Sequence, residues 1–193
     1  MRLSILNNGY SFGVKILFKM IKIFSGYPIP DAAKIIFYRP DFYGQQMKRL
    51  THEVMRGSSL WTVADRELMA ALVSKLNECT FCIGAHTATS SIAYKDKAKV
   101  DAVLSDFENA NIEEPLRATL KMLRKLTLEH SVNIADMRKV LDAGASPEQI
   151  DDALAVCFAF NVTNRLADAF GFYVPDTKAF EAGAKYLLKH GYR

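Results

Sequence analysis

The chain has 193 residues, half of them hydrophobic and 24% charged, a balance that fits one folded domain with room for a proper core. Lys plus Arg number 25 against 21 for Asp plus Glu, interspersed rather than bunched, which argues against a nucleic-acid-binding surface. Three cysteines (Cys79, Cys82 and Cys157) are too few, and odd in number, for a secreted domain stapled by disulfides; they suit a reducing, cytoplasmic setting.

In chain order, residues 14–24 come first, with Lys15, Lys19 and Lys22 on one face of a predicted helix. Charge at that spacing excludes a membrane span, which needs about 20 mainly apolar residues. No apolar core with a small-residue cleavage site marks a signal peptide. A basic amphipathic helix can lie on a membrane surface, but packing on the core is the favoured reading, because such helices are common in globular domains.

Tyr27-Pro28-Ile29-Pro30 ends this helix, and a short one follows over 31–38. Pro40 suits the first turn of a third, running to about Arg56 and broken by Gly57-Ser58-Ser59. Thr62 and Asp65 form an N-cap pair for a helix over 63–77. Further helices are predicted from about Cys79 to Tyr94, over 97–109, and from Pro115 to Leu128. Asn133 caps another, over 134–141, stopped by Gly144.

Ser146-Pro147-Glu148-Gln149 combines a capping serine, proline at the first helical position and a glutamine three residues after the cap. The helix it starts runs to about Gly171 and carries Leu154, Phe158 and Leu166, which predicts a central buried helix. Pro175 begins the last helix, to about Lys189. No segment alternates with period two. The predicted fold is a single all-α helical bundle, with residues 1–40 as an N-terminal helical extension of a core over 41–193.

The chemistry gathers around Cys79-Thr80-Phe81-Cys82, with His86 after it and Glu67 before it. On one helix Cys79, Cys82 and His86 share a face. A Cys-x-x-Cys pair at a helix start can close into a disulfide with little backbone movement, and the helix N-terminus favours a thiolate. His86 is placed to take a proton from Cys82 and Glu67 to orient the imidazole. Straight helices flush at the turn leave Glu67 and His86 roughly 6 Å out of step, a gap for a bridging water, oblique packing or a neighbouring subunit.

Glu67, then Asn77-x-Cys79-x-Phe81-Cys82-x-x-x-His86, resembles the core motif of the alkylhydroperoxidase D-like proteins in the carboxymuconolactone decarboxylase superfamily. Asn161-Val-Thr-Asn164-Arg165-Leu-Ala-Asp168 is similar to a second stretch of that family's peroxidase-related branch. The resemblance covers roughly residues 40–175 and implies an all-α homo-oligomer. It implies a thiol-dependent peroxidase, an antioxidant enzyme in which Cys82 attacks a hydroperoxide, Cys79 resolves the sulfenate, and Glu67 and His86 relay protons. Peroxidase members carry a second histidine just before the second cysteine, where this chain has Phe81. True decarboxylases of the superfamily lack the dithiol, so lactone decarboxylation is disfavoured.

No flavin, haem or nicotinamide motif is present, so reducing equivalents must come from an external dithiol of lipoyl or thioredoxin type. Two rivals stand beside the enzyme. One is a redox sensor or interaction protein that forms the disulfide without turning over. The other is a zinc-binding module, with His52, His130, His190 or Cys157 as the fourth ligand. Cys157 otherwise reads as a small core residue, His52 and His130 as solvated surface, and Trp61, Phe42, Tyr43 and Phe172 as core or interface. Arg165 and Asp168 read as a structural ion pair in an apolar helix, with an anion-binding role for Arg165 as the alternative. The enzyme reading requires reachable sulfurs; a sealed interior or a permanent metal clamp is incompatible with it.

Overall fold

The structure is a computed structural model and describes residues 1–192. Residue 193 and the side chains of Phe42 and Tyr43 lie outside the described residues, so the core or interface role expected of those two rings is not addressed. The helices are α1 (Ile5–Asn8), α2 (Phe12–Ser25), α3 (Asp31–Tyr38), α4 (Gln45–Arg56), α5 (Val63–Leu76), α6 (Thr80–Tyr94), α7 (Lys97–Asp106), α8 (Glu114–Glu129), α9 (Ile134–Asp142), α10 (Pro147–Phe170) and α11 (Thr177–His190). A π-helical turn, Pro40–Gly44, leads into α4. No strand occurs among the described residues, so the all-α bundle is the observed class.

The predicted caps are present. Thr62 with Asp65, Asn133 with Asp136, and Ser146 with Gln149 each form a reciprocal capping box. Gly144 ends the turn after α9 at φ 98°, a conformation that suits glycine. The four-residue α1 was not expected; it is too short to leave a periodic signal.

The central buried helix is α5 rather than α10. Of the eleven α5 residues from Ala64 to Ser74 all but Asp65 are buried, including Arg66 and Glu67. Phe158, expected inside, is 60% exposed on α10, while Leu154 and Leu166 are half-buried. Alternate sides of α10 therefore face the core and the surface: Val156, Cys157, Ala159 and Phe160 point in.

The main core joins α5, α7, α8 and α10 through Leu68, Met69, Leu72, Val100, Val103, Leu120, Leu123, Val156 and Phe160. Arg66, although buried, carries its charge into backbone acceptors, donating from Nη1 to the carbonyls of Val54 and Gly57 at 3.0 Å each. Trp61 is buried as expected and donates Nε1–H to the Gln149 carbonyl at 2.7 Å.

Small residues on α6 let two helices approach it. Ser90 donates to the Ala64 carbonyl across the α5–α6 contact at 3.1 Å. On the opposite side α11 packs so closely at Gly84 that any Cβ there would overlap the Phe180 ring. The site therefore sits on α5 and α6, with α11 laid over α6 and the C-terminal residues returning to α5.

Candidate active site

The turn from α5 to α6 sets the geometry. Glu78 adopts the left-handed region at φ 58°, and the Cys79 N–H donates back to the Ser74 carbonyl at 3.0 Å. The chain thus folds alongside the last turn of α5, so α6 starts level with Ser74 rather than with Asn77. Seven residues separate Ser74 from Glu67 and seven separate Cys79 from His86, about 10.5 Å of rise in each case. The expected 6 Å mismatch vanishes, and His86 Nδ1 lies 2.7 Å from Glu67 Oε2.

Glu67 is wholly buried and has partners on both oxygens. Its Oε1 accepts from Arg56 Nη2 at 2.7 Å and from the Tyr192 hydroxyl at 3.0 Å. Burial alone would raise its pKa; hydrogen bonds and charges from His86 and Arg56 outweigh burial and hold the carboxyl below the usual range. An ionised Glu67 makes His86 Nδ1 the protonated nitrogen, which leaves Nε2 as the basic one. The imidazole meets Phe160 edge-on at 4.3 Å between ring centroids and lies nearly parallel to Tyr192 at 6.5 Å. Burial and the neighbouring Glu67 push Tyr192 well above the ordinary phenol value, so it serves as a neutral donor.

Cys79 and Cys82 are neighbouring free thiols at the start of α6. Hydrogen bonding from the Cys82 thiol, together with its backbone amide, holds Cys79 below the ordinary thiol value against the cost of burial. Cys82 is pushed the other way by its bond to Cys79, by burial and by the nearby Asp168 carboxylate. Within the pair the lowered thiol is Cys79, at the helix N-cap, and the raised one is Cys82.

Among the described residues no hydrogen bond joins His86 to Cys82; they stand one helical turn apart on α6. Two pairs result: a dithiol at the helix start and an imidazole–carboxylate a turn further on. Both sulfurs are buried, at 0% and 2% exposure, which the enzyme reading did not expect. Their cover is an apolar cluster of Ile35, Ala167 and Phe172, with Met1, Ala32, Phe81 and Phe170 against it. Phe81, in the place of a second histidine, packs edge-on against Phe172 at 5.3 Å. The exposed Asp168 beside Cys79 marks the solvent edge of the cluster.

Several other assignments change. Arg165 and Asp168 are both exposed and form no ion pair with each other; Arg165 Nη1 donates to the Asn161 carbonyl at 2.7 Å, and Asp168 borders Cys79. His52 is half-buried, and its Nδ1 accepts from the Tyr192 backbone N–H at 3.2 Å, so it holds the C-terminal residues rather than facing solvent. His130 is exposed, as expected, and Cys157 is a core residue, 1% exposed, with Asn161 Nδ2 donating to its sulfur at 3.2 Å.

Among the described residues no three His, Cys, Asp or Glu side chains converge as a metal site. Arg56, Tyr192 and Asp168 were not anticipated at the site. Arg56 precedes Glu67 across the Gly57 break and Tyr192 lies 125 positions away, so no local spacing joins them.

No family model and no curated protein matches this chain. Solved structures do. An uncharacterized peroxidase-related protein from Silicibacter sp. TM1040 shares 21% identity and superposes with a TM-score of 0.76 over 91% of each chain. An alkylhydroperoxidase AhpD core, an uncharacterized peroxidase-related protein from Ralstonia eutropha JMP134, shares 23% identity at a TM-score of 0.73, covering 91% of this chain and 92% of that one.

The chain has the alkylhydroperoxidase D fold. The debrominase Bmp8 has it too, at 15% identity and a TM-score of 0.71 over 90% of this chain and 92% of that one. The fold by itself does not fix the chemistry, and activity must be argued from the site. No helix among the described residues is long and apolar enough to cross a membrane.

Proposed function

We propose that this chain is a dithiol oxidoreductase of peroxidase type, reducing a hydroperoxide through Cys82 and Cys79. The observation that carries it is the placement of two free thiols at a helix N-terminus with a His86–Glu67 pair one turn further along. The bond to Cys79 and burial push the Cys82 thiol above the ordinary value, so Cys82 needs a base before it attacks. His86 Nε2, through a bridging water, takes that proton, and Glu67 supports the imidazolium that forms.

The Cys82 thiolate attacks the distal oxygen of the hydroperoxide. The O–O bond breaks, the alcohol leaves with the proton from His86, and Cys82 becomes a sulfenic acid. Cys79 attacks that sulfur, and its thiol proton leaves with the sulfenate hydroxyl as water as the disulfide forms. An external dithiol of lipoyl or thioredoxin type restores both thiols by exchange and becomes a disulfide itself. Opening of the Ile35–Phe172 cover, or entry beside Asp168, is required in each cycle.

A homo-oligomer fits the same reading. Phe158 and Leu128, 60% and 52% exposed, offer a surface for a second copy on α10 and α8. The cytoplasm, with its reducing poise, is the compartment in which such thiols recycle.

A redox sensor is the second reading, favoured by the covered sulfurs and by Phe81 at the histidine position. Steady-state peroxide consumption with dihydrolipoamide or thioredoxin as reductant separates the two. Turnover that is lost in Cys82→Ser supports the enzyme. One oxidation event without recycling supports the sensor, and undiminished turnover by Cys82→Ser refutes the assignment.

A further inference from the structure

We propose that α2 is a membrane-contact helix that seats this chain on the surface of an anionic lipid bilayer. The helix buries no residue. Val14, Phe18 and Ile21 are half-buried, and Phe18 stands edge-on between Tyr10 and Phe37 at 5.1 and 5.4 Å. The remaining apolar side chains form a separate face. Phe12, Ile23 and Phe24 are 80%, 68% and 82% exposed, with Ile16, Leu17 and Met20 exposed between them.

The favoured reading of this helix as packed on the core is therefore overturned. Core packing would bury its broad apolar side, whereas only the narrow strip of Val14, Phe18 and Ile21 is covered, and that by half.

Charge decides what covers that face. Lys15, Lys19 and Lys22 run along its edge, and residues 1–30 hold four cations, counting Arg2, and no Asp or Glu. Subtracting those 4 from the 25 Lys and Arg of the chain leaves 21, equal to its 21 Asp and Glu. The whole net charge of +4 thus lies in the first thirty residues, and the other 163 are neutral overall.

A second copy seated helix to helix would bring two rows of lysine together with no acid on either α2. A bilayer offers what the face lacks: an acyl boundary for the phenylalanines and isoleucines, and lipid phosphates and carboxylates for the lysines beside them. A 14-residue helix with three lysines lies along the interface rather than across it.

The test is co-sedimentation of the full chain with vesicles of phosphatidylcholine alone and of phosphatidylcholine with phosphatidylserine. Partitioning onto the anionic vesicles is expected to exceed that onto neutral ones by at least roughly ten-fold, and to fall with added salt. The double variant Phe12→Glu/Phe24→Glu alters only exposed side chains and is expected to keep its circular dichroism and lose vesicle binding. The triple variant Lys15→Gln/Lys19→Gln/Lys22→Gln is expected to erase the preference for anionic lipid. Failure of the wild type to sediment with anionic vesicles would overturn the proposal. So would unchanged binding by the double variant, or light scattering in which that variant turns a dimer into a monomer while neither form binds lipid.

Discussion

Glu67 Oε2 lies 2.7 Å from His86 Nδ1, and both residues stand seven positions from one backbone hydrogen bond, Cys79 N–H to Ser74 C=O. The turn that starts the dithiol helix therefore also sets the register of the proton-handling pair. Any change that slips this turn separates Glu67 from His86 and moves the sulfurs at the same time.

Glu67 is the residue whose loss reaches furthest. Glu67→Gln leaves the half-buried Arg56 without its carboxylate and is expected to destabilise the fold by about 3 kcal/mol, read by urea denaturation. Its pH dependence has a defined sign. The folded-state carboxyl titrates below the ordinary value of about 4.3, so its stabilising contribution is present above that pH and lost as the pH falls through the lower folded value. The stability gap between wild type and Glu67→Gln is expected to narrow on acidification below about pH 4.3 and to hold constant above it.

Tyr192→Phe removes the hydroxyl that donates to Glu67 at 3.0 Å while the ring remains beside His86. A bond to a buried carboxylate is worth about 1.5–3 kcal/mol, which denaturation of this variant should reveal. Tyr192→Leu, lacking the ring as well, is expected to lose more. Equal effects of the two variants would mean the ring contributes nothing, and a Tyr192→Phe as stable as the wild type would mean the hydroxyl contributes nothing.

The cover over the sulfurs has a measurable stiffness. Ile35→Ala opens a gap in the cluster around Cys79 and Cys82. Alkylation of these thiols by iodoacetamide under native conditions is expected to be slow in the wild type and faster in the variant. The acceleration is about ten-fold for each 1.4 kcal/mol by which the cover is weakened. Mass spectrometry of the labelled peptide checks it, with Cys157 as the internal control in the main core.

Gly84→Ala places a methyl group against the Phe180 ring, where α11 meets α6. Overpacking there is expected to cost about 1–3 kcal/mol, seen as a lower Tm. Phe180 also flanks Phe81 at 5.9 Å, so the displaced ring loosens the aromatic wall near the dithiol.

Most helices were legible in the sequence because their punctuation is local. Thr62, Asn133 and Ser146 sit in capping boxes whose partner is three residues away, so the boxes can be read without tertiary context. The dithiol and His86 were legible for the same reason, since one helix carries them. Glu67 was legible as a residue but not as a contact, because the left-handed Glu78 and the fold-back of Cys79 onto Ser74 are invisible to a count of helical rise.

Arg56 and Tyr192 reach Glu67 from the two ends of the folded core, and no periodicity announces a contact of that kind. Phe158 misled because the apolar side of α10 is wider than the core it faces, and the excess lies on the surface. The burial of the sulfurs was illegible for a related reason: most of their cover comes from far along the chain, Met1, Ala32 and Ile35 more than forty positions upstream and Ala167, Phe170 and Phe172 more than eighty downstream.

Titration of the fully reduced protein with one equivalent of hydroperoxide, followed by peptide mass spectrometry, asks most directly whether the two thiols act as a redox couple. The predicted result is consumption of the peroxide and a peptide containing Cys79 and Cys82 lighter by two hydrogens, with Cys157 unchanged; in Cys79→Ser the same titration leaves a sulfenate on Cys82 that dimedone traps. Peroxide that survives the titration with both thiols intact, or a sulfenate confined to Cys157, would contradict it.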